Sequence, residues 1–256
     1  MNDKTTHLEN WPGMNMKILP EVPDNFQPTY LDLILAALAA IGLPLAAGYI
    51  FKATGALIPL ILYYGVFCWA IIRWRRGAVG YEINRGEIRK QFAGYVSSIF
   101  VVLLVLQLIL IGFEFITFQR VSDFNILGFI ITLVIWAPLN AFSEQLIWIY
   151  TFDSYAEFFK EGPKRKVMIL IGGLLYIALI SLIHVLFWVL VFPEGQYVFP
   201  FSELFVPIQT LVAIGYIFLY RKSKSMWPLG IIHVLINIAA IALSGYSILP
   251  VLLVFS

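Results

Sequence analysis

Glu144, His184, His233 and Asn237 are the residues of this chain whose types and settings could do chemistry. Each lies in a long apolar run, where an ionisable or amide side chain is expensive and marks a functional candidate. Glu144 sits in "NAFSEQLIWIY", residues 140–150, with Asn140 and Trp148 at i−4 and i+4 on its helix face and Gln145 beside it. Counted back from Asp153, it lies about nine residues, or roughly 13 Å, below the membrane surface. A carboxyl in a dry site with no adjacent cation suits proton exchange near neutral pH. His233 is about eight residues from Ser225, roughly 12 Å deep and level with Glu144, and Asn237 follows at i+4 on the same face. Two such donors could stabilise a developing oxyanion; they would also serve as polar glue between helices. His184, in "ALISLIHVLFW", is about eighteen residues or roughly 27 Å from Lys166, so depth alone does not bring it to the others. The length of its run, through tilt or a bend at Gly172-Gly173, would have to do so. Two further acids are expected to be peripheral. Asp32 opens the first span at the interface, and Glu114 lies near the outer end of the third, close in sequence to Arg120.

These residues need helices to hold them. The 256-residue chain is 61% hydrophobic and 12% charged, whereas a soluble domain is about half apolar and about a quarter charged. An all-α polytopic membrane protein follows. Runs long enough to cross a bilayer occupy 31–51, 55–73, 95–118, 124–152, 167–192, 204–220 and 226–244, and a shorter run with Pro250, 246–255, is a candidate eighth. The prediction is therefore seven to eight transmembrane helices in one domain over 30–256, after a polar tail over 1–29. That tail holds Pro12, Pro20, Pro23 and Pro28, lacks the pattern of a cleaved signal peptide, and offers Trp11 and Met14 for contact with the membrane surface.

Arginines and lysines gather in alternate loops, at 73–90, 160–166 and 221–224, which places those loops and the N-terminus in the cytoplasm. The stretch 75–92 is amphipathic and could lie on the cytoplasmic leaflet, although a basic topology-setting loop explains its charge equally well. A net charge of +2 carries no nucleic-acid signal, and the lone Cys68 permits neither an internal disulfide nor a thiolate metal site. No internal repeat points to a transporter.

Three motifs on successive helices resemble those of the CAAX protease and bacteriocin-processing family of intramembrane endopeptidases, whose pattern is EExxxR, FxxxH and HxxxN. The first meets "SEQLIWI", the second "ISLIH" (180–184) and the third "HVLIN" (233–237), and the resemblance covers about 125–245. It implies an eight-helix core and a water-activating pair, Glu144 and His184, with His233 and Asn237 as oxyanion donors. Asn140, Gln145 and Trp148 would support them. No cofactor is expected; were zinc present, Glu144, His184 and His233 would be its ligands with one position open. The chain departs from the pattern where Gln145 replaces the second glutamate, Ile149 the arginine and Ile180 the phenylalanine. Positions 145 and 149 are i and i+4, the spacing of a helical ion pair. Losing one partner would strand a buried charge at about 3–5 kcal/mol, whereas losing both removes the pair coherently.

The implied activity is hydrolysis of a peptide bond in a membrane-associated protein or peptide, prenylated ones included, in a bacterial plasma membrane. Two other readings stay open. One is a catalytically inactive relative acting as a membrane scaffold or bacteriocin-immunity-type protein. The other is a small transporter or lipid-handling protein using Glu144 and the histidines as a proton relay.

Overall fold

In hydrocarbon, apolar runs of this length satisfy their backbone groups internally, which for a single run means a helix. The computed structural model describes residues 19–20, 22, 26–82, 94–117, 121–191 and 202–252, and all regular structure among them is helical. The helices are α1 (Tyr30–Thr54), α2 (Leu57–Arg76), α3 (Tyr95–Thr117), α4 (Ile126–Ala156), α5 (Gly162–Val191), α6 (Ser202–Ser223), α7 (Trp227–Ser244) and the single turn α8 (Leu249–Leu252). Six of them, α1 to α5 and α7, are long and apolar enough to cross a membrane. The predicted run 204–220 falls in α6, which packs along α3, and the predicted 246–255 contains only α8. The outward faces carry leucine, isoleucine and valine, among them Leu45, Val102, Val134, Leu170 and Val185. An apolar exterior on this scale needs lipid around it. The chain is an all-α, multi-pass integral membrane protein.

α4 is the central helix. It packs against α1, α2, α5 and α7, and its residues Ser143–Ser154 are buried without interruption. Polar groups on a helix buried on every face need partners from its neighbours; Asn140, Glu144 and Asp153 have them, whereas Gln145 Oε1, Thr151 Oγ1 and Ser154 Oγ are buried without one among the described residues. Asn125 caps the start of α4, accepting from the Gly128 N–H at 2.9 Å. A widened turn over Thr132–Trp136 precedes Pro138, which has no N–H to give to the preceding turn.

Close helix contacts depend on small residues. A Cβ added to Gly48 of α1 would stand 2.5 Å from the Leu186 carbonyl oxygen of α5, a backbone atom that cannot step aside. Gly48→Ala is therefore expected to cost about 1–3 kcal/mol, measured by thermal unfolding in detergent. Gly112→Ala, which meets nothing within 4 Å, should not share that loss.

Asp32 is not at an open interface. It is fully buried, bonded by Arg75 Nη2 at 2.8 Å and by the Tyr150 hydroxyl at 2.7 Å. Thr29 donates to it from both its backbone N–H and its hydroxyl, closing the start of α1. The basic residues that cluster in alternate loops thus also build structure. Arg76 and Arg221 both bind Asp153, and Arg221 also reaches Glu157 and the Pro20 carbonyl. The described part of the N-terminal tail packs here, with Leu19 and Phe26 buried and Arg76 4.8 Å above the Phe26 ring. Trp11, Met14, residues 83–92 of the amphipathic stretch, the Glu114 side chain and Arg120 lie outside the described residues.

Candidate active site

Glu144 is the second residue of the uninterrupted buried part of α4, six residues after Pro138, with 1% of its surface exposed. The structure gives its two oxygens different neighbours. Oε1 accepts a hydrogen bond from the Trp188 indole N–H of α5 at 3.0 Å. Oε2 faces His233 Nε2 of α7 at 3.8 Å, too long for a direct hydrogen bond and a separation a water can bridge. Tyr63 and Asn140 also stand within hydrogen-bonding reach of the carboxyl. No arginine or lysine contacts it among the described residues.

His233 is clamped between helices. Its ring stacks on Trp148 with centroids 5.4 Å apart and planes 26° apart. Trp148 in turn donates to the Tyr63 hydroxyl at 3.3 Å. With Nε2 turned to Glu144, the remaining ring nitrogen, Nδ1, is buried and has no hydrogen-bond partner among the described residues. Asn237, one turn further along α7, donates to Asn140 Oδ1 at 2.6 Å and to the Ala137 carbonyl at 3.2 Å. Asn140 passes the chain on, donating to the Tyr64 hydroxyl at 2.8 Å. One polar network therefore joins α4, α7 and α2 around the carboxylate. Asn140→Leu would take one acceptor from the Asn237 amide and the donor from the Tyr64 hydroxyl and is expected to lower stability by about 1–3 kcal/mol, read from unfolding of the detergent-solubilised protein.

His184 is less completely gathered. It begins a widened turn, His184–Trp188, and its Nδ1 bonds the Ile180 carbonyl of its own helix at 2.6 Å. In the neutral ring Nδ1 is then the donor, and Nε2 keeps its lone pair. His184 is close enough to His233 to interact with it electrostatically. No described hydrogen bond or ion pair joins it to Glu144; Trp188, one turn on, takes that place. The three candidate zinc ligands, Glu144, His184 and His233, are not gathered into a metal-holding cluster, and no such cluster occurs among the described residues.

The departures from the family pattern are accommodated. Gln145 is fully buried and its amide donates to the Leu229 carbonyl of α7 at 3.1 Å, while Ile149 is in the apolar core. Neither position holds a stranded charge. Of the residues singled out from the sequence, the structure brings Glu144, His233, Asn237, Asn140 and Trp148 together, with Gln145 beside them on α4. Sequence reasoning missed Trp188, Tyr63 and Tyr64. The signal for the tyrosines was two adjacent hydroxyls in an apolar span, whereas Trp188 reads as core.

Comparison with known proteins finds no matching family model, no matching curated protein and no matching solved structure. The site is therefore interpreted on its own chemistry.

Proposed function

We propose that this protein is an intramembrane endopeptidase of the CAAX protease and bacteriocin-processing type, hydrolysing a peptide bond of a membrane-associated protein or peptide in a bacterial plasma membrane. The observation that carries the reading is the meeting of Glu144 Oε2 with His233 Nε2 in a buried site where His233 keeps an unpartnered Nδ1. A water between the two would be held for attack. Glu144, assisted by His184, takes one proton from it as its oxygen bonds to the scissile carbonyl carbon. The C=O π pair moves onto the carbonyl oxygen, which His233 and Asn237 meet with N–H groups. For this Asn237 exchanges its bond to Asn140 for one to the substrate. Collapse re-forms the C=O bond and breaks the C–N bond, and the proton held by Glu144 goes to the leaving amine.

The substrates that this reading implies are membrane-inserted peptides, lipid-modified ones included. The test uses purified protein in nanodiscs with a pool of synthetic membrane-inserting peptides, some farnesylated at a C-terminal cysteine, and products read by mass spectrometry. Wild-type protein is expected to generate new peptide termini. Absence of product from every peptide, or equal product from Glu144→Ala, would remove the reading.

The second reading, an inactive scaffold or immunity-type relative, draws on Gln145 and Ile149, both settled in structural roles. It requires that Glu144→Ala leave the cellular phenotype of the gene intact.

A further inference from the structure

The two oxygens of Glu144 are chemically equal until something distinguishes them. Trp188 does so, because its indole N–H lies 3.0 Å from Oε1 while Oε2 faces His233. The indole itself has little freedom. Trp188 is 2% exposed, its ring meets Trp136 edge-on at 5.5 Å between centroids, and it packs on Phe187 at 4.8 Å. The widened turn His184–Trp188 sets which face of α5 the indole projects from. Turns of that kind change the angular register of the residues that follow. Tyr63 and Asn140 also stand near the carboxyl, but the hydrogen bonds described for them run to Trp148 and Tyr64, and the one described to the carboxyl comes from Trp188.

We infer that Trp188 is a positioning residue for Glu144: its N–H fixes Oε1 and so makes Oε2, the oxygen turned to His233, the one that takes the proton of the attacking water. This rests on the peptidase reading. In the protonated state the held oxygen, Oε1, is the carbonyl oxygen and Oε2 carries the hydrogen. The carboxyl then has one orientation before and after proton transfer. Without the indole, the carboxyl plane is free to turn to orientations in which neither oxygen faces the water.

The test has an optical arm and a kinetic arm. Infrared difference spectra between the protein and its Glu144→Gln variant isolate the carboxyl C=O stretch of Glu144 at a pH where it is protonated. Trp188→Phe keeps the ring and deletes the donor, so the band is expected to move to higher wavenumber; Trp188→His, which retains a ring N–H, should move it less. In cleavage of the peptide pool, Trp188→Phe is expected to lower kcat about 10–100-fold, the scale of one charge-assisted hydrogen bond, with KM little changed. A band that stays in place in Trp188→Phe, or that moves only in Tyr63→Phe, overturns the inference. So does a shifted band with an unchanged kcat. If wild-type protein cleaves nothing while the band shifts as stated, the peptidase reading fails and the hold of Trp188 on Oε1 stands.

Discussion

Asp153→Ala is expected to destabilise the folded bundle by about 3–5 kcal/mol, the cost of leaving buried cations without their carboxylate. The side chain is wholly enclosed and serves two helices at once. Oδ2 takes Arg76 Nη1 of α2 at 3.0 Å, and Oδ1 takes Arg221 Nη2 of α6. Arg221 is held in addition by Glu157 at 2.8 Å, and Glu157 has Arg165 at 3.6 Å. Removing the acid therefore leaves Arg221 with Glu157, whereas Arg76 gives up its bond to Asp153 and keeps the Tyr220 hydroxyl at 3.1 Å. The loss should be seen as a lowered midpoint of thermal or denaturant unfolding in detergent. The origin of the effect is separable from mere cavity formation. Replacing Asp153, Arg76 and Arg221 together by leucine and methionine removes the two cations along with their shared carboxylate and leaves Glu157 with Arg165, and such replacements are often neutral. The triple variant should recover most of what Asp153→Ala loses. A cost below about 1 kcal/mol for Asp153→Ala would place the cluster with weak, water-exposed pairs.

That cluster also marks where the sequence misleads. Hydropathy identified the helical runs because it depends on composition over many residues, and the positive-inside pattern served to orient them. They treat a charge as a surface marker, however. Asp153 served as the surface from which the depth of Glu144 was counted, yet it is buried and α4 continues to Ala156. Asp32, expected at the interface, is fully covered for the same reason, since Arg75 comes from the end of α2 to meet it. Partners from distant helices turn apparent ends of spans into interior. The catalytic candidates were legible because an acid, two histidines and an amide stand out against leucine. Trp188 did not stand out, since an indole in an apolar run reads as core. Its role depends on a widened turn that no periodicity of 3.6 residues anticipates. His184 presents the converse case: its chemistry is conspicuous in sequence, but its Nδ1 is spent on its own helix and its depth is set by the path of α5.

Glu144→Gln is expected to lower peptide cleavage by about 10²- to 10⁴-fold, the usual contribution of a positioned general base, while the protein stays folded. The two halves of this expectation come from different atoms. The amide oxygen can still accept from the Trp188 indole at Oε1, so the aromatic packing around the site survives. At the other position an oxygen that could take a proton becomes an NH2 group, which can donate to His233 Nε2 but cannot accept from water. The fold should tolerate that exchange, because Glu144 has no arginine or lysine contact among the described residues and its replacement strands no cation. Thermal unfolding of Glu144→Gln should accordingly match or exceed that of the wild type. This separates Glu144 from Asp153, where the carboxylate is the counter-charge of two arginines and its loss is structural. A Glu144→Gln protein that unfolds early, as Asp153→Ala should, would mean that the carboxylate supports the bundle and that its burial has no catalytic purpose. A stable Glu144→Gln protein with turnover intact would leave the water without its base and turn attention to the scaffold reading, in which Glu144 and His233 only hold α4 to α7.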